Sequence, residues 1–214
     1  MKHPIKGYKN SSYPVGSVTQ WFGENRPLYF ERMGMEGHNG IDIVAPWGTP
    51  IYAVEGGVVV DIKESPEGYG KHIRILADAD GNGYCNEWVY GHASENLVKL
   101  GDRVTEGQMV QKMGNTGFVV SGATPFWAYN PYAGTHLHLG LRLCRLNPVG
   151  FQYTPTSPKI SVVDYHNGYF GSIDFKAKLD IETQEDPVII MGLQLTVISL
   201  LNQIIAVLKK RRGL

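Results

Sequence analysis

The stretch AGTHLHLGLRL, Ala133–Leu143, places two histidines on either side of a single leucine. Neutral imidazole is the commonest metal ligand in proteins and also carries protons near neutral pH. If this run is a strand, residues two apart point to the same side, so His136 and His138 project together while the intervening leucine packs into the core. The pair alone permits two interpretations: a metal-binding or proton-handling site, or two hydrogen-bonded strand histidines.

A second pair of ligand types occurs much earlier, in GHNGIDIVAPWGTP. His38 and Asp42 lie four residues apart at the start of a strand-like run, and Gly40 gives the backbone between them the freedom to bring both to one centre. Both groups suit Zn²⁺, and one imidazole of the His-x-His pair would complete the three protein ligands that are common in catalytic zinc sites. The spacing does not say which histidine of the pair binds; the other could transfer protons or stabilise charge on the substrate.

A further histidine, His92 in WVYGHAS, ends another strand-like run. A histidine in such a place is more often a structural residue than a functional one. Beside a candidate zinc site, however, it would be placed to act as a second proton-handling group. The residue types leave both interpretations open.

The elements that would position these side chains are short strands. Between residues 15 and 148, runs rich in Val, Ile and Tyr are separated by Gly, Pro, Asn or Asp. One separator, DADGNG, starts like a calcium-binding loop, but its twelfth position is Val89 instead of a bidentate glutamate, so a β-hairpin turn is predicted. The predicted fold class is mostly β: an antiparallel sheet or β-sandwich with a groove that holds the zinc site, plus a C-terminal helix.

Composition excludes several classes of protein. With 43% hydrophobic residues the chain can build a sizeable core, so it is not a disordered protein. Twenty basic residues balance twenty acidic ones, which removes the positive charge expected of a nucleic-acid binder. Cys85 and Cys144 are too few for a disulfide scaffold or a cysteine-only zinc site, and whether they pair is left open.

Four segments are predicted along the chain. Residues 1–14 form a polar N-terminal arm that lacks the apolar core of a secretory signal. Residues 15–148 form the mostly β domain that carries the candidate zinc site, and residues 149–187 form an extension and linker. Residues 188–214 form an apolar C-terminal helix with a basic end.

The stretch 188–208 runs for 21 residues without a charge and is followed by KKRR. As a helix it would be about 31 Å long, which matches the thickness of the bilayer core. Three interpretations are open: a helix that spans a membrane, one that lies at a membrane interface, and one that packs on another protein or a second copy. In the first case the basic end prefers the cytoplasmic side, and the preceding domain would face outward.

Three separated motifs occur in a recognisable order: GHNGIDIVAPWGTPIYAVEGGVVV, VYGHASENLVKLGDRVTEGQMVQKMGNTG and THLHLGL. Together they resemble the lysostaphin/LytM-type zinc metallopeptidases, which cleave peptide bonds in bacterial peptidoglycan. The resemblance implies that the zinc ligands are His38, Asp42 and His138. It also implies that His136 and His92 are the catalytic histidines.

The resemblance covers residues 15–143 with some departures. Leu139 and Gly140 stand where the family usually has an aromatic residue and a glutamate, and Ala93 stands where it favours leucine. Residues 123–133 look inserted. This insertion carries the aromatic residues Phe126, Trp127, Tyr129 and Tyr132. It is interpreted either as a groove wall that grips the glycan or stem peptide, or as a loop held by its own aromatics.

The function predicted from this resemblance is that of a Zn²⁺-dependent endopeptidase that hydrolyses peptide bonds in peptidoglycan cross-links. Its partner would be bacterial peptidoglycan, and its place the cell envelope, the extracellular face or a phage virion. The alternative is a non-catalytic binding or regulatory module of the same fold, which the presence of all five site residues disfavours. Carriage as part of a virion or membrane assembly stays open and depends on the C-terminal segment.

Overall fold

The computed structural model of the protein describes residues 3–6, 17–121, 124–125, 130–146 and 160–178. These residues form twelve strands and one α-helix. In chain order the elements are β1 (Val18–Gln20), α1 (Arg26–Met33), β2 (Ile41–Val44), β3 (Pro50–Tyr52), β4 (Gly57–Lys63), β5 (Lys71–Ala77), β6 (Tyr84–Asn96), β7 (Arg103–Val104), β8 (Met109–Met113), β9 (Val120–Ser121), β10 (Thr124–Pro125), β11 (His136–Leu146) and β12 (Ile160–Val162).

Ten of the strands form one antiparallel sheet around the long strands β6 and β11. The main order is β1-β2-β11-β6-β5-β4-β7, while β12 pairs with β11 and β8 pairs with both β3 and β6. Strands β9 and β10 form a separate two-stranded sheet. The predicted fold class, mostly β with an antiparallel sheet, is confirmed; the predicted C-terminal helix lies outside the described residues.

Strand β11 is buried on both faces, which explains its apolar sequence. The three leucines that alternate along it, Leu137, Leu139 and Leu141, are fully buried, and for Leu137 this confirms the prediction from the sequence. Burying each leucine contributes about 1.5–3 kcal/mol to stability. The opposite face carries His138 and then Arg142, whose Nε donates a hydrogen bond of 2.9 Å to the buried Glu87 carboxylate. One face therefore supplies apolar packing and the other supplies polar chemistry.

The turn between β5 and β6 is the predicted hairpin. The side-chain Oδ1 of Asp80 accepts backbone hydrogen bonds from Asn82 (2.8 Å) and Tyr84 (2.9 Å). Gly83 has a φ of 82°, which a residue without a Cβ adopts at little cost. The two strands then pair antiparallel, so the hairpin prediction is confirmed.

Residues at both ends of the described chain pack on this sheet. Near the N-terminus, the carbonyl of Pro4 accepts a hydrogen bond of 2.8 Å from the Tyr52 amide, and Ile5 is buried. Near the other end, β12 pairs with β11, and Phe175 is buried against Trp88 at 5.1 Å between ring centroids. The compact unit that contains the sheet runs from residue 1 to residue 179. The four predicted segments stay a prediction.

The predicted apolar helix, residues 188–208, lies outside the described residues. Its three interpretations, membrane span, interfacial helix and self-association element, therefore stay predictions. Within the described part of the chain, no helix is long and apolar enough to span a membrane.

The two cysteines lie opposite each other in the middle of the sheet. Cys85 of β6 and Cys144 of β11 are register partners, and both are free thiols. They share an apolar cluster with Val60, Leu76 and Ile160. Burial raises the pKa of Cys85 to about 11 and that of Cys144 to about 12. Their shared environment is that of core residues.

We expect both thiols to resist modification in the folded protein. The thiolate is the reactive form, and at pH 8 a pKa of about 11 leaves about one thiol in a thousand ionised. Labelling by a thiol reagent at pH 8 should reach both cysteines in guanidinium chloride but neither within minutes in buffer. The rate should rise with pH up to about 11 while the protein stays folded. Rapid labelling of the folded protein, or a mass lower by two hydrogens, would contradict this assignment.

Candidate metal centre

The register between β2 and β11 brings two of the predicted ligands together. Asp42 and His138 are direct cross-strand partners, so their side chains leave the sheet side by side. His38 lies just before β2, and its side chain approaches those of Asp42 and His138. The Nε2 of His38 lies 2.9 Å from the Nδ1 of His138 and 3.1 Å from the Oδ1 of Asp42, and His138 Nδ1 lies 3.1 Å from the same oxygen. All three residues are buried.

Hydrogen bonds alone cannot satisfy these three atoms. The Nδ1 of His38 lies 3.3 Å from the carbonyl oxygen of Trp21, which can only accept, so in the neutral, metal-binding form of the ring this nitrogen carries the proton and Nε2 presents a lone pair. The Asp42 carboxylate also presents only lone pairs. At most one proton, on the Nδ1 of His138, would then be available for hydrogen bonds in the three contacts among these atoms. A cation among the three atoms would satisfy all of them. Two imidazole nitrogens and one carboxylate oxygen are a ligand set that suits Zn²⁺.

The protonation states of Asp42 and His138 also favour a metal site. Burial alone would raise the pKa of the Asp42 carboxyl, but His136 and His38 beside it hold that pKa well below its usual range. Burial lowers the pKa of His138 to about 4, so its ring is neutral at pH 7. An ionised carboxylate and a neutral imidazole are the forms that bind a metal ion.

The ring of His138 is held in place by close packing. The Tyr69 ring packs on it at 4.9 Å between centroids, and the Tyr69 hydroxyl accepts a hydrogen bond of 2.6 Å from the Asn39 side chain. Two glycines leave room for this arrangement. A Cβ on Gly40 would lie 2.7 Å from the His138 ring, and one on Gly140 would lie 2.7 Å from Val89. The absence of a glutamate at position 140 therefore has a steric reason.

Replacing Gly40 with alanine is expected to weaken metal binding and lower stability. The new Cβ would lie 2.5 Å from the Leu139 carbonyl oxygen, which cannot move without disturbing the pairing of β2 and β11. Overpacking of this kind costs about 1–3 kcal/mol. We expect a lower melting temperature and at least about tenfold weaker zinc binding. The control is Gly81→Ala, where a Cβ meets no atom within 4 Å; equal effects of the two substitutions would contradict the prediction.

The two remaining predicted residues lie beside the ligands. The ring centroids of His92 and His136 are 4.6 Å apart, and the Nε2 of His136 lies 3.7 Å from the Oδ1 of Asp42. In both rings Nδ1 lies 2.7 Å from a backbone carbonyl, that of Thr116 for His92 and that of Gly134 for His136. Because a carbonyl can only accept, each Nδ1 carries a proton, so in the neutral form of either ring Nε2 is the nitrogen that can accept one.

His92 reaches this position through an unusual backbone conformation. Up to Gly91, β6 pairs with β11, and from Ala93 onward it pairs with β8. His92 lies at this change of partner with a φ of 64°, an uncommon value for a residue other than glycine. Burial, together with the nearby His136 and His138, lowers the pKa of His92 well below its usual value, so its ring is neutral.

The five histidine and aspartate residues lie in a cleft of about 530 Å³. One wall is α1, from which Tyr29 and Arg32 face the cleft, and the other includes Phe118. The Arg32 guanidinium lies 5.1 Å from the centroid of the Phe118 ring. The Tyr29 ring packs against His38 at 5.4 Å. The cleft is large enough for a peptide segment and is open to solvent.

The structure therefore brings all five predicted site residues together. Sequence reasoning missed several neighbours that hold or surround them, namely Asn39, Tyr69, Tyr29 and Thr116. Asn39 could have been noticed as a polar residue between the two ligands of one motif, and Thr116 as part of GNTG. Nothing in the local sequence separates Tyr29 and Tyr69 from the other tyrosines.

Comparisons with known proteins agree with this geometry. A model of peptidase family M23 matches residues 36–149. Peptidoglycan DD-endopeptidase ShyA of Vibrio cholerae is 37% identical over 112 residues, which are 52% of this chain and 21% of that protein. Glycyl-glycine endopeptidase ALE-1 of Staphylococcus capitis is 32% identical over 113 residues, 53% of this chain and 26% of that protein.

A solved structure of LytU has a similar fold, with a TM-score of 0.50 and 26% identity over 82% of this chain and 91% of LytU. This chain spans only about a quarter, or less, of the length of the two relatives above. The family model, however, matches more than half of the chain and includes every residue of the candidate metal centre. The resemblance drawn from the motifs is thus confirmed: the chain belongs to peptidase family M23.

Proposed function

We propose that this protein is a zinc-dependent endopeptidase that hydrolyses peptide bonds in the cross-links of bacterial peptidoglycan. The observation that carries the proposal is the completeness of the site. Three donor atoms converge within about 3 Å of one another, and the rings of His92 and His136 lie beside them. Relatives named as a peptidoglycan DD-endopeptidase and a glycyl-glycine endopeptidase support the choice of substrate.

In this proposal His38, Asp42 and His138 hold the metal. A zinc ion bound there supplies Lewis acidity, which polarises a carbonyl group and makes water acidic. The Trp21 carbonyl and the Tyr69 ring orient two of the ligands, so their donor atoms are in place before the metal binds.

His92 and His136 handle protons in the proposed reaction. As water adds to the scissile carbonyl carbon, the Nε2 of one of these rings accepts its proton. The Nε2–H formed in this way donates a hydrogen bond to the carbonyl oxygen as negative charge develops there. When the C–N bond breaks, the proton passes to the leaving amine nitrogen. Fixed Nδ1–H donation to backbone carbonyls holds both rings in the required tautomer.

A non-catalytic module of the same fold is the second possibility. Such a module would not need two further histidines beside the metal ligands. The presence of His92 in an uncommon left-handed conformation favours the enzyme, because strained backbone of this kind is concentrated at functional sites.

The place of action follows from the substrate. We propose the cell envelope or its extracellular face, where peptidoglycan lies, with carriage by a phage virion as the other route to the same polymer. The apolar segment 188–208 would hold the enzyme at a membrane or at a second copy of the chain.

The test is digestion of purified peptidoglycans of known cross-link type, with and without a chelator, followed by mass analysis of the fragments. We expect release of defined stem peptides, loss of release on chelation, and its return with added Zn²⁺. The fragment masses identify the bond. If every cell wall tried stays intact with zinc present, the non-catalytic module is the better description.

A further inference from the structure

A second cavity, of about 490 Å³, lies next to the metal cleft. Three chain segments line both spaces. Pro46 lines the cleft and Trp47 the second cavity; Phe118 lines the cleft and Thr116 the second cavity. The third segment contributes residues 134–135 to the cleft and Pro131 to the second cavity. The two spaces therefore adjoin across a shared ridge, and a substrate long enough to leave the cleft here would enter the second cavity.

Two exposed aromatic residues form a rim on this ridge. The side chains of Trp47 and Tyr132 are 40% and 64% exposed, and their rings meet edge to face at 5.5 Å between centroids. Their exposure means that the folded domain does not use them as core residues. Large apolar side chains grouped at the surface mark binding sites.

Hydrogen bonds fix the backbone of both segments that carry the rim. The side-chain amide of Asn115, which is 2% exposed, donates hydrogen bonds to the carbonyls of Pro131 (3.1 Å) and Ala133 (2.7 Å). On the other side of the rim, the Gly48 amide donates to the Met113 carbonyl at 2.9 Å. Both aromatic residues therefore extend from fixed backbone, which lowers the entropy cost of binding a ligand.

The polar lining of the second cavity is electrically neutral. Glu64 and Lys71 line it as an ion pair with 3.4 Å between Oε1 and Nζ. Such a pair offers hydrogen-bond donors and acceptors close together without net charge. A charged amino or carboxyl group on a ligand would be attracted by one member of the pair and repelled by the other. A neutral polyol can donate hydrogen bonds to Glu64 and accept them from Lys71.

We propose that this cavity and its aromatic rim, Trp47 and Tyr132, bind the glycan strand of peptidoglycan through an N-acetylated amino sugar. A pyranose ring has an apolar face of C–H groups, which packs on an aromatic ring, and an edge of hydroxyl and acetamide groups, which pairs with donors and acceptors. The inference rests on the proposed function, since it places the glycan beside the peptide that lies in the metal cleft.

The first test measures binding of the N-acetylglucosamine tetramer to the full chain by titration calorimetry or NMR. We expect Trp47→Ala and Tyr132→Ala each to weaken binding by about tenfold, as for an aromatic hot spot. The control, Tyr165→Ala, removes an aromatic residue that is 46% exposed outside both cavities, and it should bind normally. Absence of binding to the unaltered chain at millimolar sugar, or equal binding by Trp47→Ala, would overturn the inference.

The second test compares hydrolysis of intact peptidoglycan with hydrolysis of cross-linked stem peptides freed of glycan. In Trp47→Ala the ratio of the two rates should fall about tenfold, mainly through KM on intact peptidoglycan. An equal loss on both substrates would assign the rim to the peptide and overturn the inference. If the unaltered chain cuts neither substrate, the proposed function fails, while the sugar titration still decides whether the glycan site exists.

Discussion

Replacing Asp42 with asparagine is expected to abolish both zinc retention and hydrolysis. Asp42 is the one anionic residue of the proposed zinc site, and its Oδ1 lies 3.1 Å from each of the other two donor atoms. Asparagine keeps the shape of the side chain but removes the negative charge that offsets the charge of the ion. The Lewis acidity of a bound metal is worth several kcal/mol in the transition state, so we expect activity to fall by more than about a thousandfold.

The measurement is zinc content by elemental analysis after dialysis, together with peptidoglycan hydrolysis at saturating free Zn²⁺. The matched control is Asp78→Asn, which removes an exposed carboxylate that pairs with Arg103 at the surface. We expect the control to keep about one zinc per chain and normal activity. An Asp42→Asn protein with a full complement of tightly held zinc would show that the three side chains are not the metal site.

Replacing His92 with asparagine is expected to separate catalysis from metal binding. Asparagine tolerates the left-handed φ of 64°, and its side-chain amide can still donate to the Thr116 carbonyl, so the fold and the zinc site are retained. Asparagine cannot accept and release a proton near pH 7. Loss of a general acid–base group lowers turnover by about 10²–10⁴-fold.

The decisive comparison is between kcat and zinc content in the same preparation. We expect kcat to fall while the zinc content and melting temperature stay near those of the unaltered chain. His166→Asn is the control, because His166 is an exposed histidine in a turn. Full cell-wall activity of the His92→Asn protein would remove His92 from the reaction and leave His136 as the sole proton-handling histidine of the proposal.

The parts of the site that depend only on local backbone geometry could be predicted from the sequence. The two-residue period of a strand places His136 and His138 on one side whatever the strand pairs with. The strand-like run that follows Gly40 likewise placed Asp42 at the start of a strand, which is β2. Which histidine of the pair binds metal could not be predicted from spacing, because both point the same way; the family resemblance makes that choice.

Tertiary structure decided the features that depend on pairing between distant segments. The register of β2 with β11 sets Asp42 opposite His138, and a shift of one residue would turn the carboxylate to the other face of the sheet. The position of the His92 side chain depends on the point at which β6 changes its pairing partner from β11 to β8. One wall of the cleft is formed by α1, and nothing in the sequence of α1 indicates that it packs beside the metal site.

The sequence by itself thus determined the mostly β fold, the family and the candidate ligands of the proposed zinc site. It could not determine the neutral second cavity, the rim of Trp47 and Tyr132, or the steric reason for Gly140. Local patterns specify which face of a strand a side chain occupies, because that depends only on backbone geometry. Which distant side chains then meet depends on the register and packing of the whole sheet, so only the folded chain fixes it.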